Sequence, residues 1–424
     1  MKPSPPACGG LKRYWNNNQC YTYLMSKPSL IIDLRSDSVS GALVEPKFDQ
    51  KKRAVCSEFL KTSRREINFQ TQFNLERFFG DLVTTLKQVL AELLTDGTRP
   101  NNLTCFLAAP FYVSQTRTVK QVQPAAVTAT KHLIENLVEA DRRQFQATAE
   151  PLYREIPNDT HELIERKIMQ LKLNRYETNS PFGKKAREIE ISHYLSVSSR
   201  KVLDRFRELF SVSLPKARPV FHSFSFAFYA LARDRLLANQ LARQSSENIL
   251  LLDLSGEMTE ISLLAQGILW ETVSFPLGRN FLIRRLAHDF KTVPEEALSA
   301  LRICARGDYN KLSDSRMRAA LAAAGADWLA QFKEALATLI EAHLGTNKLL
   351  AVGDPEIAPV FLDWIKQESY KDLLISEKGI IPSLLTSQTF SDECHQRRSP
   401  ANIDLRLLLE VIFYDKLMTL NKYG

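Results

Sequence analysis

Two stretches of this sequence are built alike, and both end in groups that could handle phosphate. Leu30-Ile31-Ile32-Asp33-Leu34 runs into the polar triplet Arg35-Ser36-Asp37, and Val39 to Val44 resumes an apolar course. Ile249-Leu250-Leu251-Leu252-Asp253-Leu254 runs into Ser255-Gly256-Glu257-Met258 and then Thr259-Glu260-Ile261-Ser262-Leu263-Leu264. Each reads as a strand, a short polar turn and a returning strand. Backbone N–H groups in two facing turns of this kind make a cradle for phosphate oxygens. A carboxylate at the end of each leading strand can hold a hydrated Mg²⁺ between them. This internal duplication is the most informative feature of the organisation.

Other chemistries lack their residues. Gly183-Lys184-Lys185 has neither the leading glycine nor the hydroxyl residue of a phosphate-binding P-loop, and neither a GxSxG elbow nor an HExxH helix occurs. The seven histidines are dispersed, none four residues from another. His222, in Phe221-His222-Ser223-Phe224, reads as a satisfied, semi-buried side chain. Cys8, Cys20, Cys56, Cys105, Cys304 and Cys394 form no CxxC pair. Cys394-His395 has no second pair at ligand spacing and reads as loop. No residue stands out as catalytic.

The 424 residues carry 56 Lys+Arg against 48 Asp+Glu, a net charge of +8, with 44% hydrophobic and 25% charged residues. That is a globular composition, long enough for two to four structural units. The basic runs at Lys51-Lys52-Arg53, Arg64-Arg65 and Lys184 to Arg187 are not interleaved with aromatics, so nucleic-acid stacking is not indicated. They read as solvated surface, with an anionic lipid or acidic partner as the alternative. No segment reaches the ~18 apolar residues of a membrane span, and the first residues lack the apolar core of a secretory signal. The expectation is a soluble, intracellular protein.

The elements that would position the turns follow from periodicity. A helix is predicted over about Leu75 to Leu94, closed by Asp96-Gly97, and a buried strand over Leu103 to Ala109. From about 111 to 213 the chain turns more charged and reads as long polar helices. A short strand (Glu188 to Leu195) and a helix (Ser199 to Phe210) complete that stretch. Phe224 to Leu237 reads as an apolar helix whose aromatics are core, and Ile268 to Val273 as a third strand after the second turn. Met317 to Leu344 reads as one close-packed helix, with Gly325 giving tight contact or a kink. In the last helix, Asp404 to Leu420, the charges spread around the axis instead of collecting on one face, so it reads as a buried closing helix, not a membrane-surface one.

Asp33-Leu34-Arg35-Ser36 and Asp253-Leu254-Ser255-Gly256-Glu257-Met258-Thr259-Glu260 resemble the two phosphate turns of the actin-like ATPases. Leu349-Leu350-Ala351-Val352-Gly353-Asp354 resembles their adenosine-side strand and turn. Phe275-Pro276-Leu277-Gly278-Arg279 resembles the Pro-hydrophobic-Gly-Gly run that opens a helix. Asn179-Ser180-Pro181-Phe182-Gly183, the strand after it and the helix from Ser199 resemble the SHS2 module of the FtsA and PilM families. The resemblance implies an α/β, two-lobed actin-like (ribonuclease H-like, duplicated) fold with an inserted α+β SHS2-like subdomain. Its implied division is a tail (1–28), the first lobe (29–112 and 214–246), the inserted module (113–213), the second lobe (247–403) and a closing helix (404–424). Implied cofactors are ATP and Mg, with Asp33, Ser36, Asp253, Ser255, Gly256, Thr259, Gly278 and Gly353 binding nucleotide and Asp33 and Asp253 holding the metal.

The departures from the family pattern bear on activity. Arg35 stands where the first turn normally has Gly. Ser255 and Glu257 take Gly positions of the second turn, Met258 a Thr position and Glu260 the Asp position. A side chain there obstructs the close approach to phosphate that glycine permits. Hydrolysis, binding without turnover and a purely structural cleft are therefore all open. The implied function is an FtsA-like scaffold of bacterial cell division, cytoplasmic and peripheral to the inner membrane. The alternatives are a PilM-like platform of type IV pilus assembly or a sugar/acetate kinase-like phosphotransferase. Implied partners are further copies, actin-like, tubulin-like or pilus-assembly proteins, and no nucleic acid; membrane contact would be indirect. With no tether expected after the last helix, weight shifts towards a PilM-like role or towards an FtsA-like protein recruited by partners.

Overall fold

The computed structural model describes residues 28–50, 53–148, 160–238, 248–307, 315–340, 346–373, 379–390 and 403–423. Apart from Pro28, the expected tail lies outside these residues, as do Cys8, Cys20, Cys394 and His395. The chain opens with β1 (Ser29–Leu34), β2 (Ser38–Asp49), β3 (Ala54–Glu66), α1 (Leu75–Leu93) and β4 (Asn102–Leu107). There follow β5 (Val113–Thr128), α2 (Lys131–Thr148), β6 (His161–Leu173), β7 (Tyr176–Glu177) and β8 (Lys185–Ser199). Next come α3 (Arg200–Ser213), β9 (Pro219–Ser223) and α4 (Phe224–Ala238). The second half holds β10 (Ile249–Leu254), β11 (Thr259–Ala265), β12 (Ile268–Phe275), α5 (Arg279–Phe290), α6 (Pro294–Ala305) and α7 (Ser315–Ile340). It ends with β13 (Lys348–Val352), α8 (Ala358–Gln367), β14 (Ile381–Leu384) and α9 (Leu405–Tyr423).

Two five-stranded sheets repeat one plan. Their orders are β3-β2-β1-β4-β9 and β12-β11-β10-β13-β14. In each, a central strand (β1 or β10) pairs antiparallel with the strand after its turn and parallel with a strand reached through a helical crossover. The duplicated hairpins are thus the centres of two lobes.

Strand pleating decides which side chains face which layer. Leu30, Ile32 and Leu34 of β1 enter a core with α1 and α3 on the outer face of the first sheet. Leu250, Leu252 and Leu254 of β10 enter a core with α5 to α8 on the outer face of the second. The alternate residues, Ile31 on one side and Ile249 and Leu251 on the other, meet in a single cluster with α4 and α9. The two lobes therefore share one core, and α9 lies inside it, its Leu408, Leu409, Val411 and Phe413 fully buried. The buried closing helix expected over 404–420 is there. Ser57 of β3 donates its N–H to the Asp415 carboxylate at 2.9 Å and fixes α9 to the first sheet.

Between about 111 and 213 the expectation of long polar helices is corrected. The stretch is mainly a third sheet, ordered β5-β8-β6-β7, with α2 against it. The strand expected over Glu188 to Leu195 lies within β8, and three physical reasons hid the rest. β5 is half-exposed along most of its length and carries polar residues on both faces. β6 has register shifts at Leu163/Glu165 and Ile168/Gln170 that break the two-residue alternation. The second half of β8, Ser192 to Ser199, is buried on both faces and so has no alternation to show. Helix α3, from the same stretch, buries Val202, Leu203, Phe206 and Phe210 in the first lobe's outer core. Helix α7 runs unbroken through Gly325, where a Cβ would stand 2.6 Å from the Trp364 ring, so this glycine serves close contact and not a kink.

Candidate functional site

Pleating fixes the site. Asp33 and Asp253 share the parity of Ile31 and Leu251, so both carboxylates leave the inner faces of their sheets at the ends of the central strands. Across each hairpin, Asp33 pairs with Ser40 and Asp253 with Glu260. The turns have the same form: Arg35 donates its N–H to the Ser38 carbonyl at 3.1 Å, and Ser255 to the Met258 carbonyl at 3.0 Å.

The two turns touch. The hydroxyls of Ser36 and Ser255 lie 3.0 Å apart, and Glu257 donates its N–H to Ser36 Oγ at 2.9 Å. A Cβ on Gly256 would come within 2.4 Å of Asp37 Cβ, so not even a methyl group fits between them. Gly278 is needed on the other side of the second turn, where a Cβ would lie 2.4 Å from the Gly256 carbonyl oxygen. Arg279 and Asn280, at the start of α5, donate their N–H groups to the Ser255 and Gly256 carbonyls at 2.9 and 2.8 Å.

Buried guanidiniums answer both aspartates. Arg35 Nε meets Asp33 at 2.7 Å, in contact by charge and not through an aligned hydrogen bond. Its Nη2 donates to Ser40 Oγ at 2.8 Å and to Asp404 at 2.7 Å. Arg406, at the start of α9, pairs with Asp253 (Nη1 to Oδ2, 2.9 Å), donates to the Leu254 carbonyl at 2.7 Å and stacks 5.1 Å over Phe224. Asp404 also receives Arg64 at 2.7 Å. Burial would raise the Asp404 carboxyl, but Arg35 and Arg64 hold it well below the usual carboxylate range. Glu410, six residues on, is fully buried, and burial together with the Asp33 charge keeps it well above that range. Asp33 is itself raised by burial, against the pull of Arg35. At the rim, Arg279 reaches Asp354 at 3.0 Å, Glu66 at 3.3 Å and Asp37 at 3.4 Å, while Arg284 clamps Glu257 at 2.6 Å.

Of the residues the sequence pointed to, Asp33, Ser36, Asp253, Ser255 and Gly256 come together, with Gly278 backing the second turn. Thr259 does not join them: it points to the outer face, donating to the Leu277 carbonyl at 2.7 Å and accepting from Trp328 at 3.2 Å. Gly353 packs between Leu254 and Ala358, 3.0 and 3.2 Å from an added Cβ. Asp404, Arg406, Glu410 and Arg279 were missed. The signal was available: charges scattered round an apolar helix must be buried, and buried charges require partners.

Proteins of this fold generally bind nucleotide with magnesium, but the residues present here do not fit that group. The turn N–H groups of Arg35, Ser255 and Glu257 already have acceptors, both aspartates face arginine, and the space between the turns is filled. Among the described residues, no group of three or more His, Cys, Asp or Glu side chains could hold a metal ion.

A second buried polar chain ties the third sheet to both lobes. Glu165 of β6 accepts from His222 Nδ1 at 2.8 Å, from the Ser223 N–H at 3.0 Å and from Ser196 at 3.2 Å. Tyr194 of β8 lies 2.8 Å from the Ser223 hydroxyl and 3.2 Å from that of Ser225. The Ser225 N–H reaches Tyr112 Oη at 3.3 Å, and Tyr112 donates to Glu260 of β11 at 2.7 Å. His222 is thus a buried structural histidine held through Nδ1, but its Nε2 meets no hydrogen-bond partner among the described residues, so the satisfied side chain that its sequence context suggested is met on one ring nitrogen only.

No protein-family model matches this sequence, and no curated protein does. Solved structures do. The "PilM-PilN type IV pilus biogenesis complex" is similar over 92% of this chain and 98% of that chain, with a TM-score of 0.53 at 13% identity. A Bacteroides thetaiotaomicron protein of actin-like ATPase fold and unknown function covers 91% of this chain and 96% of its own, with a TM-score of 0.42 at 12% identity. With its paired five-stranded sheets and facing hairpins, this chain has the two-lobed actin-like ATPase fold, with PilM among its structural neighbours.

Proposed function

We propose that this protein is a PilM-like platform of type IV pilus assembly, acting at the cytoplasmic face of the membrane through protein contacts and not through ATP turnover. The likeness to the pilus biogenesis complex carries the reading. Its span of 92% of this chain and 98% of that chain supports counting the third sheet, as well as both lobes, within the likeness. In this reading the 113–213 stretch is the inserted module. The partner would be a PilN-type pilus-assembly protein. The closed cleft favours a scaffold over a phosphotransferase, which needs an open nucleotide site.

Removing the protein from the cells that make it tests the reading. Loss of surface pili at normal cell length, and co-purification of the protein with a pilus-assembly partner, are expected. Filamentous cells with intact pili would overturn it in favour of an FtsA-like division scaffold.

A further inference from the structure

The described N-terminal end of α9 brings three residues into the cleft mouth that the duplicated hairpins do not supply. Asp404 accepts from Arg35 of the first turn and from Arg64 of β3. Arg406 pairs with Asp253 of the second lobe. Glu410 lies beside Asp33, fully buried. Arginine forks are good partners for phosphate, and an aspartate pair is a good partner for a hydrated cation. Here each has its partner within 3 Å on the same chain. A partner tethered this way is present at high effective concentration, and a diffusing ligand must displace it.

We propose that Asp404 and Arg406 act as a built-in ligand that holds the two lobes closed without nucleotide. The Asp404 carboxylate takes the guanidinium that a phosphate would need. The Arg406 guanidinium takes the carboxylate that a magnesium ion would need. The Ser36–Ser255 contact and the packing of Gly256 on Asp37 follow from that closure, because two turns with a phosphate chain between them could not meet. This inference goes beyond the pilus reading and stands on the fold and the cleft alone.

The full-length protein, titrated with Mg-ATP and Mg-ADP to millimolar concentration, tests it by thermal shift. A ligand that binds the folded state raises the melting temperature with concentration, so no rise is expected; a saturable rise would overturn the proposal. Amide exchange tests the closure. Arg406→Gln leaves Asp253 buried without its cation, and residues 35–38 and 255–258 should exchange about a hundredfold faster. Arg406→Lys, which keeps the charge, should restore part of the protection. Turns that exchange as slowly in Arg406→Gln as in the wild type would overturn the proposal. If Arg406→Gln does not fold, the wild-type titration still decides.

Discussion

Tyr112, just past the first sheet, donates its hydroxyl to Glu260 of the second lobe at 2.7 Å, with both side chains buried. Burial pushes the Glu260 carboxyl up to about 8, with the nearby Asp253 charge adding to the rise and the Tyr112 and Arg406 interactions opposing it. A carboxyl raised in the folded state binds more protons there than in the unfolded chain. Between the unfolded carboxylate range and about pH 8, stability therefore falls as pH rises. Glu260→Gln keeps the Tyr112 hydrogen bond and removes the titration. Its melting temperature should fall less steeply than that of the wild type between pH 5 and 8, a window set by the same linkage. Parallel slopes would show that Glu260 does not titrate there.

Glu165 gives the opposite sign. Burial would raise it, but His222 and Ser223 lower it below its ordinary value. Its contribution is present above the unfolded carboxylate range and is lost as pH falls through the folded value. Glu165→Ala leaves His222 and Ser223 without their acceptor and should cost about 3 kcal/mol. The third sheet should then loosen from β9, seen as faster proteolysis within 161–199 while the 250–275 region stays protected.

Arg279 is the rim counterpart of the two cleft arginines. It is nearly buried, and Asp37, Glu66 and Asp354 surround it. Arg279→Met removes one cation from three acids on both lobes and should lower stability by about 3 kcal/mol in urea unfolding. Asp354→Asn, at a partly exposed partner, should cost clearly less. Equal costs would mean that Asp354 alone carries the contribution of Arg279 and that Asp37 and Glu66 add nothing to it.

Two helical glycines should respond to alanine with opposite signs. At Gly80 of α1 nothing lies within 4 Å of an added Cβ, so Gly80→Ala should stabilise by about 0.5–1 kcal/mol through helix propensity. At Gly325 the same methyl meets the Trp364 ring at 2.6 Å. The packing penalty of about 1–3 kcal/mol outweighs the propensity gain, so Gly325→Ala should destabilise and alter tryptophan fluorescence. Stabilisation by both would sink the packing argument.

How far the sequence showed this molecule depended on whether each signal was local. The central hairpins were legible because three or four apolar residues leading to an Asp, followed by a polar turn and a second apolar run, mark a buried strand and its return. Parity within them places Asp33 with Ile31 and Asp253 with Leu251. The third sheet was legible only in β8, where Glu188 to Leu195 read as a strand; its other long strands were not, because β5 is polar on both faces and bulges in β6 erase the two-residue period. Nor were the partners of the two aspartates. Asp404 lies 369 residues from Arg35, and Arg406 lies 153 from Asp253; no spacing rule spans such distances. Thr259 was placed on the wrong face for a ligand, since it alternates with Glu260 and so points away from the cleft.

The core shared by the two lobes has a consequence for biosynthesis. Ile31 of the first sheet and Leu251 of the second lie in one buried cluster with α4 and α9, and α9 comes after every described strand. That cluster cannot be completed until residues beyond 404 have left the ribosome. Both half-finished lobes must wait with apolar surface open to solvent, where holding by chaperones matters most.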